Sequence, residues 1–441
     1  MAKENIYEKN LPYSFLRIFW TDWKIKHSYR KAEIHGKENI PTDGAVIICG
    51  NHCNTLMDAL VILRSTPQEK VFGARADIFR KKFLANIMYF FRILPMVRMR
   101  DGLRNVLQNN DTQDIIVKTL EHDVPFILFP EGTHRTKHSL QQLGKGAFRI
   151  ALAANERFGQ EKPVYIVPTG IEYGDYFRFR STSLVNYGKP INVTEFLKEG
   201  QFESEPQAIE ALRKLLSSKM SELITYIPSD ENYSSKWTLL KMFSIKGQKR
   251  GYGDRFTNLY ASMLENREIA EKIERFDAQN HEAAAALYER VDSFEKKRKK
   301  AGISIYSFRK ARLGLRAIGK ALAALLGLPY FIYSSIAALP MLVIEKLIRS
   351  SVKDPAFRNT VSLGIKLALG TILSLIYIPL AFCLTKWWIA AGLIALWLPS
   401  FSYFHDYVEG CRRWFSDMKL TGKKNLKKEF DSIVDDFSKF E

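Results

Sequence analysis

Three stretches in the last third of the chain carry no charged residue: Ala321 to Ile344, Leu367 to Thr385 and Trp387 to Phe404. Each approaches the ~20 residues that a helix needs to cross the hydrocarbon core of a bilayer. A soluble bundle would have to bury all three in succession, so a membrane region is expected. Charge then orients it. Arg309, Lys310, Arg312, Arg316 and Lys320 precede the region. Lys346, Arg349, Lys353, Arg358 and Lys366 fill its first connection, and Arg412, Arg413 and Lys419 follow it. With positive residues kept inside, all three places are cytoplasmic. Residues 367–404 then form a two-span hairpin turning at Lys386-Trp387-Trp388. The stretch 321–344 must leave and return on one side, as a re-entrant or interfacial helix pair broken by Pro329 and Pro340.

The rest of the 441 residues is long enough for one sizeable α/β core. Lys and Arg number 66 against 47 Asp and Glu, a formal net charge of +19. Nucleic acid, an anionic membrane surface or an anionic substrate could each account for that excess. The four cysteines, Cys49, Cys53, Cys383 and Cys411, form no CxxC pair, so neither a disulfide framework nor a zinc site is expected. A reducing, cytoplasmic compartment fits them. The opening MAKENIYEKN has no apolar core of a signal peptide. Residues 11–31 place Phe15, Leu16, Phe19, Trp20 and Trp23 on one helical face, with Arg17, Lys24 and Lys26 beside them. That face suits either a membrane interface or packing on the core.

Between residues 32 and 230, short apolar runs alternate with amphipathic stretches. Strands are expected at 45–49, 71–74, 125–129 and 163–167, and helices over 112–121 and 145–157. The alternation predicts an α/β fold with a mixed, mostly parallel sheet flanked by helices. The expected division is an amphipathic N-terminal helix (1–31), a catalytic domain (32–230), a charged helical connector (231–312), a membrane region (313–410) and a cytoplasmic tail (411–441). A looser GQKRGYGD stretch interrupts the connector near 247–254, and the basic run at 295–300 near its end is either a solvated face or a phospholipid contact.

In parallel sheets, functional groups gather beyond the C-terminal ends of strands. Two segments there carry chemistry. In Gly50-Asn51-His52-Cys53-Asn54-Thr55-Leu56-Met57-Asp58, Asn54 or Thr55 can cap the helix expected at about 56–64. Asp58, in its first turn, can reach back to one nitrogen of His52 and leave the other as a base. By itself a His with an Asp six residues on is more often a solvated histidine. Phe129-Pro130-Glu131-Gly132-Thr133-His134 follows another strand. Gly132 permits close backbone approach, and Glu131 and Thr133 offer polar groups to a substrate. As an isolated signal it reads equally as an ordinary strand-terminal turn. Cys53 invites a thiol-nucleophile reading, but a small buried cysteine is the simpler one. His134 and His138 read as surface residues, and no metal site is expected.

Taken together, these segments resemble the glycerolipid acyltransferase superfamily, which includes glycerol-3-phosphate and 1-acylglycerol-3-phosphate acyltransferases. Ile93 to Arg100 resembles its second block, Leu143 to Phe148 the basic Gly-containing segment after the third, and Ile166 to Ile171 its fourth. The resemblance covers roughly residues 30–225. It implies His52 and Asp58 as the catalytic pair. It also implies Arg98 or Arg100 as the phosphate clamp, Arg98 slightly favoured, with Glu131, Gly132 and Thr133 at the substrate. One departure stands out. Five residues separate His52 from Asp58 where the family commonly has four. The longer spacing is similar to a subgroup acting on glycerol 3-phosphate and dihydroxyacetone phosphate.

The expected activity is transfer of a fatty acyl group from acyl-CoA or acyl-carrier protein, as co-substrate, to 1-acylglycerol-3-phosphate, with no further cofactor. Glycerol 3-phosphate, lysophospholipids or amino-acid lipids are the alternative acceptors. A membrane-tethered lipid-binding protein that kept the fold without the reaction is the non-enzyme alternative. Nucleic-acid binding is disfavoured by the apolar stretches. Membrane lipids are expected partners, and the cytoplasmic face of a bacterial inner membrane is the expected location.

Overall fold

The computed structural model describes residues 3–96, 106–246, 258–309 and 313–440. The chain divides into two compact units. The first holds Met1–Lys26, Ala32–Glu172 and Ser183–Ile224; the second holds His27–Lys31, Tyr173–Thr182 and Thr225–Glu441.

The first unit is built on a mostly parallel sheet of β1 (Lys31–His35), β2 (Ala45–Gly50), β3 (Val71–Arg75), β4 (Ile93–Met96), β5 (Phe126–Leu128), β6 (Val164–Tyr173), β7 (Thr182–Tyr187) and β8 (Ile191–Asn192). The order is β1-β7-β6-β2-β5-β3-β4, with β8 antiparallel to β6. The β-branched run Val46-Ile47-Ile48 makes β2 a strand buried on both faces, as a central parallel strand must be. It pairs in parallel with β5 on one side and β6 on the other. The strands expected at 45–49, 71–74, 125–129 and 163–167 are β2, β3, β5 and the start of β6. The helices expected over 112–121 and 145–157 correspond to Val106–Glu121 and to Gly146–Phe158, which Lys145 precedes. Gly146–Phe158 turns Ala147, Phe148, Ile150, Ala151 and Ala154 onto the sheet, and Leu212, Leu216 and Met220 of Glu205–Ser221 join that core. Phe148, Ile150, Leu212, Leu216 and Met220 each contribute about 1.5–3 kcal/mol on burial.

The N-terminal segment departs from a single helix over 11–31. Leu11–Leu16 is helical, Arg17–Asp22 widens into a π-type turn, and Trp23–Lys26 closes the element. Asn10 starts it, its Oδ1 accepting the Tyr13 N–H at 3.1 Å. The break has a local cause: Arg17 turns inward, donating to the carbonyl oxygens of Gln68 and Pro67. Phe15 and Phe19 remain 65 % and 66 % exposed with rings 4.8 Å apart, so this face is not packed on the core.

In the second unit, residues expected as a connector and as a tail share one core. Leu239, Ile273, Val291 and Phe294 pack with Phe430, Ile433 and Phe437 of the Lys424–Ser438 helix. The stretch 247–254 lies outside the described residues. Beyond it, Leu313–Ala337 and Leu339–Ser351 meet at Ala338, with Pro340 in the first turn of the second helix. Phe357–Leu384 and Trp387–Thr421 follow, joined by Thr385 and Lys386. Among the described residues, Ala317–Ala337, Phe357–Leu384 and Trp387–Thr421 are long and apolar enough to cross a membrane. Only 11 %, 11 % and 22 % of their most apolar windows are buried, so they do not form the interior of a soluble bundle.

Tyrosine hydroxyls tie the first and last of these antiparallel. Tyr333 donates to Leu393 O and Tyr330 to Leu396 O, while Tyr403 donates to Gly327 O and Tyr407 to Ala324 O. Gly327 permits that approach, since a Cβ there would lie 2.4 Å from the Tyr403 hydroxyl.

Candidate active site

Parallel register aligns the ends of three strands. Cys49 of β2 stands opposite Leu128 of β5 and Pro168 of β6. The loops after β2 and β5 therefore emerge side by side, next to residues 169–172 of β6. Gly50 lets them close up: a Cβ there would meet the Phe129 ring at 3.1 Å.

The helix after β2 is Leu56–Ser65, and its cap differs from expectation. Neither Asn54 nor Thr55 provides a side-chain cap; Asp58 does. Its Oδ2 accepts the N–H groups of Asn54 at 2.7 Å and Cys53 at 2.9 Å. This is the return half of a capping box, in which the third helical residue reaches back over the entrance. Thr55, the residue at the bend, has φ 50° and ψ −127°, a costly conformation for a β-branched side chain.

The same Asp58 oxygen lies 2.8 Å from His52 Nδ1. Asp58 is fully buried and His52 is 19 % exposed. The imidazole stacks on Phe129, centroids 4.5 Å apart and planes at 15°, and His134 stands edge-on at 5.8 Å. The ring is thus fixed on one face and at one nitrogen, and keeps an exposed edge.

Glu131 bonds the backbone of both loops. Oε1 accepts the His52 N–H at 2.8 Å, while Oε2 accepts the Gln141 N–H at 3.0 Å and its Nε2 at 3.2 Å. Burial pushes its carboxyl upward, opposed by these same hydrogen bonds. Gln141 also spans Thr133, donating to Thr133 O at 2.7 Å and accepting from Thr133 Oγ1 at 3.1 Å. The Gly132 N–H closes the turn onto Phe129 O at 3.0 Å, with φ +68°, a conformation suited to glycine. A third strap holds the His52 backbone: the Arg135 N–H donates to its carbonyl at 2.9 Å.

Cys53 is buried beside the pair, its Sγ 3.6 Å from Asp58 Oδ1. Burial and the nearby carboxylates push its thiol well above the ordinary range. A thiol so disfavoured as thiolate is a poor nucleophile. Asn51 locks the loop to β6: its Nδ2 donates to Ile171 O at 3.1 Å, and its Oδ1 accepts the Ile171 N–H at 2.7 Å.

His138 is not a surface residue. It is buried with its Nδ1 3.6 Å from Glu172 Oε1, and Glu172 is buried too. Nothing in the spacing of 138 and 172 signals that partnership, which exists only once β6 lies beside β2. Arg98 and Arg100 lie outside the described residues. Among the described residues, no three His, Cys, Asp or Glu side chains gather where they could hold a metal ion.

A carboxylate-oriented histidine thus stands at the C-terminal ends of parallel strands, with a Phe-Pro-Glu-Gly-Thr turn strapped against it. The acyltransferase family model matches residues 31–172. Among solved structures, the chain is similar to the 1-acyl-sn-glycerophosphate acyltransferase PlsC of Thermotoga maritima. That match has 19 % identity and a TM-score of 0.33, over 46 % of this chain and 78 % of the other. No curated protein matches the chain.

Proposed function

We propose that the protein is a membrane-anchored O-acyltransferase that acylates 1-acylglycerol-3-phosphate to phosphatidate, with acyl-CoA or acyl-carrier protein as donor. The observation that carries this reading is the 2.8 Å contact of His52 Nδ1 with a fully buried Asp58. It commits Nδ1 to the carboxylate and leaves Nε2 to accept a proton.

The acceptor hydroxyl gives that proton to Nε2 as its oxygen attacks the thioester carbonyl. Asp58 stabilises the imidazolium so formed. The tetrahedral oxyanion collapses, the C–S bond breaks, and the thiolate leaves with the proton returned from Nε2. Glu131 holds the backbone of His52 and acts as a positioning residue. Arg98 or Arg100 would clamp the acceptor phosphate, where a guanidinium fork suits the geometry. Glycerol 3-phosphate is the second acceptor, favoured by the five residues between His52 and Asp58. The exposed apolar helices and their basic flanks support a membrane location, with the cytoplasmic face of a bacterial inner membrane as the proposed side.

The test incubates detergent-purified protein, and His52→Ala beside it, with labelled acyl-CoA or acyl-carrier protein. The acceptors are glycerol 3-phosphate, lysophosphatidate, lysophospholipids and an acyl-ornithine. Transfer to lysophosphatidate that disappears in the variant is expected. Transfer to another acceptor alone would replace the acceptor named above. No transfer to any acceptor would favour a lipid-binding tether, and transfer surviving in His52→Ala would move the catalytic base elsewhere.

A further inference from the structure

The second unit gathers exposed lysines that the acyl-transfer chemistry does not use. Lys300 ends the His281–Lys300 helix, and Lys419 lies in the last turn of Trp387–Thr421. Lys423, Lys424, Lys427 and Lys428 open the Lys424–Ser438 helix. Packing brings these three helix ends together. A Cβ on Gly302 would lie 3.0 Å from Lys419 Nζ, so that ammonium sits against the turn just after Lys300. The rings of Phe294 and Phe430 meet at 5.9 Å, and Lys297 pairs with Glu429 at 2.8 Å, which holds the Lys424–Ser438 helix beside the end of His281–Lys300. All six lysines are exposed. The acidic residues of 295–302 and 417–429 are Glu295, Asp417 and Glu429. Each bonds another cation: Arg298 at 2.6 Å, Lys320 at 2.7 Å and Lys297 at 2.8 Å. Among the described residues, no carboxylate pairs with any of the six.

Helix chemistry accounts for part of this charge only. Cations in a last turn complement the negative end of the helix dipole, which suits Lys300 and Lys419. Lys423 and Lys424 stand at the opposite, positive end of their helix, whose first turn holds no acidic residue. There the dipole opposes them. Lysines kept where their own helix disfavours them answer to something outside the fold. Depth decides between an anionic membrane and a soluble acidic partner. The uncharged part of Trp387–Thr421 ends at Phe404, and no proline follows it in that helix. At 1.5 Å per residue and the usual tilt of about 20°, Lys419 lies about 21 Å past Phe404, and the other lysines cluster round it. The headgroup layer takes up roughly 5–8 Å of that, and screening in 0.1 M salt acts over about 10 Å. The lysines therefore stand beyond the reach of the bilayer's own charge. Phe415 and Met418, 57 % and 44 % exposed, share a helical face with Lys419 and are likewise clear of the lipid. Apolar side chains beside unneutralised lysines match a protein surface that is acidic and carries apolar contacts.

We propose that this lysine surface, centred on Lys419 and Lys424 with Phe415 and Met418 beside them, docks the acidic acyl-carrier protein as acyl donor. The inference rests on the acyltransferase reading above and narrows its donor. A surface drawn from three helix ends, with apolar side chains among the cations, suits a protein partner better than a single nucleotide such as CoA. Docking there holds the thioester on the enzyme at high effective concentration.

The test measures transfer by the full chain from purified acyl-carrier protein and from acyl-CoA bearing the same acyl chain. It is run in phosphatidylcholine vesicles and, in parallel, in vesicles containing phosphatidylglycerol. Lys419→Glu combined with Lys424→Glu is expected to raise KM for the carrier protein several-fold in both and to leave KM for acyl-CoA unchanged. The carrier KM should rise with salt in wild type and rise less in the double variant. Its thermal melting should not suffer, since a glutamate suits that helix start. Phe415→Ala, which alters no charge, should raise the carrier KM without changing its salt dependence, and it serves if the double variant does not fold. Equal shifts for both donors, no shift for either, or transfer from acyl-CoA alone would overturn the surface. A shift seen only with phosphatidylglycerol would assign the lysines to the membrane and overturn it too. Should wild type transfer from neither donor, the acyltransferase reading fails separately, and fluorescence anisotropy of labelled carrier protein still decides. Binding by wild type that the double variant loses would keep the surface, and no binding by wild type would remove it.

Discussion

Asp58 and Asn54 are joined by a 2.7 Å hydrogen bond from the Asn54 amide to the same carboxylate oxygen that meets His52 Nδ1. One buried oxygen therefore both starts the helix and orients the imidazole. Structure and chemistry at this position are separable only by substitutions that keep the acceptor.

Asp58→Asn retains an oxygen for the amides but removes the charge that stabilises an imidazolium. The rate is expected to fall about 10²–10⁴-fold, with a modest loss of stability. Asp58→Ala strands the Cys53 and Asn54 N–H donors, at about 1–3 kcal/mol for each left unsatisfied. His52→Ala removes a partly exposed ring and should lose activity with little loss of stability. Transfer assays read beside thermal melting separate the three variants.

Glu131→Gln tests the positioning role. The amide keeps one acceptor oxygen where the carboxylate has two, so its NH2 must face either the His52 N–H or the Gln141 donors; about 1–3 kcal/mol of stability should go, and kcat should fall more than KM changes. The pH response has a definite sign. The folded-state pKa of Glu131 lies above the ordinary 4.5, with burial the largest cause. Within that window the folded state binds more protons than the unfolded one. The contribution is present below 4.5 and is lost as pH rises through the folded value. Melting temperature against pH should show this downward component in wild type and lack it in Glu131→Gln. A matching profile in both would remove Glu131 as its source.

Cys53→Ala should keep near-normal transfer activity. The side chain is buried, and its thiol is held protonated by burial and by Asp58. The expected cost is about 1–2 kcal/mol for a small cavity, read by chemical denaturation. A large loss of turnover in a folded variant would revive an acyl-enzyme intermediate through this sulfur.

Leu375 projects from the Phe357–Leu384 helix with 73 % of its surface exposed. On a soluble protein Leu375→Arg would be harmless. In a spanning helix it should cost about 2.5–3.5 kcal/mol of insertion. A glycosylation-tag or carbonate-extraction assay should show reduced membrane integration, and unchanged integration would count against this segment as a span.

The central sheet could be read from the chain because its strands advertise themselves. Val46-Ile47-Ile48, Phe126-Ile127-Leu128 and Val164 to Val167 are β-branched and aromatic runs buried on both faces. β1 and β7 escaped notice because KAEIH and TSLVNY mix polar residues into short segments, and their strand state depends on their neighbours. The His52–Asp58 pair was legible because both residues lie on one strand-to-helix turn. Glu131 was found, but its partners His52 and Gln141 were not, since its orientation is fixed by strand register rather than by spacing. The burial of His138 against Glu172 was hidden for the same reason. So was the passage of residues 27–31 and 173–182 into the second unit, which only contacts across hundreds of positions determine.

The straps on His52 carry a consequence for biosynthesis. The histidine leaves the ribosome early, yet its amide is held by a carboxylate 79 positions downstream and its carbonyl by the Arg135 amide. Its strand is completed only when β6 arrives, beyond residue 164. A nascent chain halted before that point is expected to hold His52 and Asp58 without the assembled site. Closing such distant contacts is slow, so gain of activity is a late report of folding in the first unit. An arrested-translation series should show transfer switching on only after β6 has cleared the exit tunnel.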